Sequence, residues 1–255
     1  MKKRFTFLVA TTLMLAPAGF AHAQSNAPLT ERIERERLGD VEPGAYLAGD
    51  KLKFTLDSGN GFFLLRFEGM PEVFVLYSDN GTLGGTLLKY DSGETAMRVA
   101  GWGAITIYTD QQPNGLPAVR TGDSLAPSPP SVSLTDMQNA AEDETQHLSY
   151  VRRIRVVFST DWSTLSTNAT LRALSYDAME NAARGIERFS AAAPPRQSLT
   201  KRIDSVLITA GNRPALSLRD KTLVVTFNAA KGYAGRASSR AIARALWKVV
   251  PPQKD

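Results

Sequence analysis

The hydrophobic period of this chain changes from two to 3.6 across a stretch that no regular element can cross. That stretch is Ser124-Leu125-Ala126-Pro127-Ser128-Pro129-Pro130-Ser131. Its prolines lack amide donors and stiffen the backbone, so residues 124–132 read as a linker between two differently built parts. The expected fold class is α+β. An N-terminal antiparallel β-meander over 44–123 closes as a small barrel or sandwich. An α+β domain over 133–250 follows, with a long amphipathic helix, a strand meander and a basic C-terminal helix, then a tail over 251–255.

Before the linker, Lys51-Leu52-Lys53-Phe54-Thr55-Leu56 alternates polar and apolar, as a half-buried strand does. Further strands are predicted at Phe62–Phe67, Val73–Tyr77, Thr86–Tyr90, Glu94–Ala100, Ala104–Thr109 and Ala118–Arg120, joined by turns such as Asp79-Asn80-Gly81. Beyond the linker, Leu134, Met137, Ala140, Ala141 and Leu148 share a helical face, and Ser133 with Asp136 forms a capping-box-like start. A strand is expected at Val151–Phe158. Leu171, Leu174, Ala178, Ala182, Ile186 and Phe189 mark the amphipathic helix, which Pro194-Pro195 should end. Strands follow at Ser205–Thr209, Ala215–Leu218 and Thr222–Phe227, then a helix from Ala237 to Val249.

The first residues point outside the cytoplasm. Lys2, Lys3 and Arg4 precede an uncharged run from Phe5 to Leu15, and Ala21-His22-Ala23 is a small-x-small cleavage signature. Residues 1–23 thus read as a signal peptide, and the run is too short to cross a hydrocarbon core of roughly 20 helical residues. The mature protein is expected to be periplasmic or secreted, with no transmembrane span. Residues 24–43 form a polar N-terminal segment whose charges alternate from Glu31 to Arg37 and suit a short exposed helix. Cleavage removes three of the 30 basic side chains and none of the 25 acidic ones, so the charge falls from +5 to +2. A chain that near neutrality carries no nucleic-acid signal.

Cysteine is absent, and His147 is the only histidine beyond the signal. Cysteine nucleophiles, Cys/His zinc sites and HExxH metalloprotease helices are excluded by composition. His147 follows acidic residues, as a solvated surface histidine would. Ser198-Leu199-Thr200-Lys201 matches SxxK, but the companion motifs of that hydrolase family are missing: Lys221-Thr222 is followed by Leu223. Asp110 and Asp161 fall at strand ends, where both catalytic and turn-forming aspartates occur. No cofactor or metal is expected, and no catalytic residue is assigned.

The last helix offers the strongest binding pattern. Arg236, Arg240, Arg244 and Lys248 are spaced by four and form one basic stripe. A docking surface for an anionic envelope component, peptidoglycan or lipid headgroups, would look like this; so would a core-packed helix with a solvated outer face. Just before it, the glycine-rich loop ending at Gly235 enters a helix N-terminus, where Arg236 and Ser238 would complete an anion site.

Gly103-Ala104-Ile105-Thr106-Ile107-Tyr108-Thr109, running on to Asn114-Gly115-Leu116-Pro117-Ala118, and Gly232-Tyr233-Ala234-Gly235-Arg236-Ala237-Ser238-Ser239-Arg240 carry a further signal. With the signal peptide and the length, they resemble an uncharacterised family of exported proteobacterial proteins, a domain of unknown function. The resemblance implies the periplasm and brings no catalytic residues. Together these features favour a non-catalytic binding or structural role at the cell envelope. The rivals are a carboxylate-dependent hydrolase of peptidoglycan or another glycan, and a carrier using the β-structure's interior, where Trp102 and the Phe and Tyr residues would line a pocket.

Overall fold

The computed structural model describes residues 41–251; the expected signal peptide, the expected helix before Pro43 and the end of the tail lie outside them. Eight antiparallel strands form a closed barrel in strict sequence order: β1 (Gly44–Ala48), β2 (Leu52–Ser58), β3 (Phe63–Phe67), β4 (Val73–Asn80), β5 (Thr86–Tyr90), β6 (Thr95–Val99), β7 (Ile105–Ile107) and β8 (Leu116–Gly122). The sheet closes where β1 pairs with β8, Leu47 opposite Val119. Closure leaves no edge with unpaired amides.

Alternation fills the barrel. Phe54 and Leu56 of β2, Phe63, Leu65 and Phe67 of β3, and Phe74 and Leu76 of β4 point inward and are buried. Neighbouring rings run around the interior from Tyr46 to Phe54 (centroids 5.1 Å apart), Phe67, Phe74 and Tyr90. Side chains therefore occupy the interior, while Trp102 stands outside it, 74% exposed. The outward Leu64, Val73 and Val75 are buried as well, against Tyr233 and Ala234 of the second part. This explains why β3 and β4 read as nearly continuous apolar runs.

In the second part, helix α1 (Leu134–Arg152) leads to strand β9 (Val157–Thr160), short helix α2 (Trp162–Thr167), the long helix α3 (Ala169–Phe189) and helix α4 (Ala193–Arg202). Strands β10 (Ser205–Ala210), β11 (Ala215–Arg219) and β12 (Thr222–Phe227) follow, then a 3-10 turn at Ala229–Gly235 and helix α5 (Ser239–Val249). The capping box at Ser133 is complete: its hydroxyl accepts the Asp136 N–H at 3.0 Å, and its own N–H donates to the Asp136 carboxylate at 3.1 Å. The sheet order is β11-β12-β10-β9, with β10 parallel to both neighbours and β11 antiparallel to β12. Helix α3 packs against this sheet, α1 and α5. Its Gly185 allows the closest approach, since a Cβ there would stand 2.5 Å from the Ile242 side chain of α5.

Two local expectations shift. The strand expected over 151–158 begins only at Val157, because α1 continues to Arg152. Pro194 and Pro195 end no element; they open α4, where a missing amide donor costs nothing. No described helix is long and apolar enough to cross a membrane.

Candidate functional site

Of the residues singled out at the last helix, Arg236, Ser238, Arg240 and Arg244 gather at a polar seam, where one end of the barrel meets α5. Ser238 is the helix N-cap, its hydroxyl accepting the Ala241 N–H at 3.2 Å. That hydroxyl and the Ser238 N–H both donate to Asp91, in the β5–β6 turn, the amide at 2.7 Å. The next residue repeats the arrangement: Ser239 donates its N–H (2.8 Å) and hydroxyl (2.7 Å) to Glu72, before β4. The start of α5 thus holds two carboxylates against its free amides and positive dipole end. Burial raises the pKa of both acids above the ordinary carboxylate range, opposed by the hydrogen bonds from Ser238 and Ser239.

Arg236 is 3% exposed. Its Nε pairs with Asp177 of α3 and its Nη2 donates to the Val73 carbonyl at 2.7 Å, while Nη1 is buried with no hydrogen-bond partner among the described residues. Gly235 is fixed by close packing, since a Cβ there would collide with the Asn228 carbonyl. Arg240 lies over the Tyr90 ring, 4.4 Å from its centroid, and pairs with Glu94 (2.8 Å) and Asp110 (2.5 Å). Burial pushes the Tyr90 phenol up to about 12, against the pull of Arg240. Arg244 donates to the Ser92 carbonyl. Lys248 is exposed. The first three cations of the stripe therefore face acceptors of the barrel or of α3, and the stripe runs along an internal boundary.

The two aspartates noted at strand ends have local duties. Asp161 caps α2, and hydrogen bonds from Thr164 and Ser163 hold it down at about 2. Asp110 is partly buried, which would raise its pKa, but its pairs with Arg188 and Arg240 hold it below the usual range. His147 lies on exposed α1 surface, 3.6 Å from Glu187. Sequence patterning did not flag Glu144 of α1, which burial and the nearby Glu180 of α3 push up to about 7. Arg184 in turn pairs with Glu180.

A second cluster of cations lies where α1 ends and α4 runs. Arg152, Arg153, Arg196 and Lys201, with Gln197, Thr200 and Ala193, line a shallow hollow of about 470 Å³. Arg152 donates to Glu187 at 3.2 Å. Arg153 sits in the left-handed region, φ 57°, as the C-cap of α1. It is exposed, and Arg196 is half-buried. Among the described residues, no carboxylate lines the hollow. Its sequence signal was the pair of basic runs Arg152-Arg153-Ile154-Arg155 and Lys201-Arg202, each too short to stand out.

No curated protein and no solved structure matches this chain. A family model does, over residues 26–246, which takes in the barrel, the seam and the cationic hollow. The chain belongs to the family described as Domain of unknown function (DUF4908).

Proposed function

We propose that this is an exported, periplasmic protein that binds an anionic component of the cell envelope without altering it chemically. The observation that carries the reading is the hollow lined by Arg152, Arg153, Arg196 and Lys201. Cations gathered around one concavity, even with Arg152 offset by Glu187, raise the local potential above what a net charge of +2 would give, and attract carboxylate- or phosphate-bearing polymers. Guanidinium groups suit such ligands because their donors match two acceptor oxygens at once. The seam supports the same reading from the other side. Arg236, Arg240 and Arg244 already have acceptors within the chain, and Arg152 has Glu187, so recognition of an outside anion falls first to Arg153 and Arg196. The test is co-sedimentation of the purified mature protein with peptidoglycan sacculi, with mass spectrometry of the supernatant. Salt-sensitive pelleting without released fragments supports the proposal, and released fragments overturn its non-catalytic half.

One observation favours the hydrolase alternative. A carboxyl group titrating near neutrality beside a second carboxylate is what general acid catalysis needs, and Glu144 beside Glu180 fits that description. If fragments are released, Glu144→Gln should abolish the release; release that survives the substitution removes this pair from consideration.

A further inference from the structure

At the barrel end away from α5, two neighbouring turns present bare apolar tips. Successive turns of an up-and-down barrel alternate ends. Glu72, Asp91 and Asp110 face α5, so the β4–β5 and β6–β7 turns lie at the far end. Leu83 tops the first and is 85% exposed; Trp102 tops the second and is also exposed. Each turn is closed by its own hydrogen bond: the Gly81 N–H donates to the Gly85 carbonyl and the Ala100 N–H to the Ala104 carbonyl, both at 2.8 Å. The turns press together at their backbones, since a Cβ at Gly101 would stand 2.7 Å from the Leu83 carbonyl. Leu83 is held at φ 56°, in the left-handed region that glycine enters freely and a bulky side chain only at a cost. A leucine kept exposed in a conformation that suits glycine points to a use for its side chain.

Charge narrows the class of partner. No charged residue occurs from 80 to 88 or from 99 to 109, so no side-chain charge opposes moving the tips out of water. Just behind Leu83, Arg98 of β6 donates to the Thr82 hydroxyl at 3.4 Å and makes no ion pair among the described residues. An apolar tip backed by a cation matches the interface of an anionic bilayer: tryptophan and leucine settle among the headgroups and upper chains, and arginine meets a phosphate. A fluid bilayer also asks for no matching shape, as a protein groove would. We infer that Leu83 and Trp102 enter the surface of a lipid bilayer bearing anionic headgroups, with Arg98 on a headgroup phosphate. This contact uses none of the residues of the cationic hollow, and either can fail without the other.

The test is flotation of the purified mature protein with phosphatidylglycerol vesicles, with phosphatidylcholine vesicles as the neutral comparison. The parent should float with phosphatidylglycerol, and its tryptophan emission should shift to the blue. Leu83→Ser combined with Trp102→Ser, both at exposed positions, should weaken binding at least tenfold, the scale of one apolar side chain returned to water. Arg98→Gln should weaken it about fivefold on phosphatidylglycerol and leave phosphatidylcholine binding unchanged. Arg153→Ala combined with Arg196→Ala should float as the parent does. Leu83→Gly separates binding from folding: it relieves the left-handed backbone, so its Tm should be no lower than the parent's while its flotation falls. The proposal is overturned by a parent that stays in solution, even one that pairs with a second copy or captures a protein through these tips. Full flotation of the double serine variant, or flotation that depends on Arg153 and Arg196 instead, overturns it equally.

Discussion

Asp91, in a turn of the barrel, caps the last helix through Ser238, 147 residues further along the chain; one carboxylate oxygen takes the amide N–H at 2.7 Å and the other the hydroxyl. Glu72 does the same for Ser239. Caps are commonly local, within a residue or three of the helix start. Here they come from a separately built part, so the start of α5 is complete only when the barrel is docked. Asp91→Ala should lower stability by about 2–3 kcal/mol, the cost of a lost charged acceptor and an orphaned N–H. Urea unfolding measures it. A loss below about 0.5 kcal/mol would mean that the seam does not tie the two parts.

The pair between Arg236 and Asp177 is buried on both sides. Removing one partner strands the other: Arg236→Met should cost about 3–5 kcal/mol, and adding Asp177→Asn should restore part of the loss. A double-mutant cycle reads the coupling directly. Additive losses would show that the pair acts through packing alone.

Glu144 gives the fold a defined pH dependence. Its folded pKa of about 7 lies above the ordinary 4.5, so the folded chain holds a proton that the unfolded chain releases between those values. Stability from this group is therefore full below pH 4.5 and declines as pH rises to about 7. Glu144→Gln should be as stable as the parent at pH 4 and more stable at pH 8. The gain should be about 1 kcal/mol, reduced from the full shift because the site is partly solvated. Thermal melts across that range test it, and an equal difference at both ends would contradict the account. Asp110 has the opposite sign. Its ion pairs stabilise the fold above the usual carboxylate range and are lost in acid.

Much of the barrel was legible because a strand's period of two survives in the sequence wherever one face is buried, as in Lys51–Leu56. β1 was harder to see: Gly44, Ala45 and Ala48 give little contrast, yet this strand closes the barrel. α4 was hidden because Pro194-Pro195 stop a helix as readily as they start one. At the seam, the pattern of glycine loop, Arg236 and Ser238 carried an anion-binding chemistry that local sequence could suggest. The carboxylates that meet it, Glu72, Asp91 and Asp177, lie 59 to 167 residues away. Local spacing cannot register a partner at that range, so it left the stripe either facing an outside anion or simply solvated.

The proposal that the cations of α1 and α4 recognise the envelope is tested most directly by comparing two variants in the same pelleting assay with sacculi. One carries Arg153→Ala and Arg196→Ala in the hollow; the other carries Lys248→Ala on the exposed end of α5. The account predicts at least a tenfold loss of pelleting at physiological salt for the first and parental behaviour for the second. Full pelleting by the first variant, or a loss confined to the second, would contradict it.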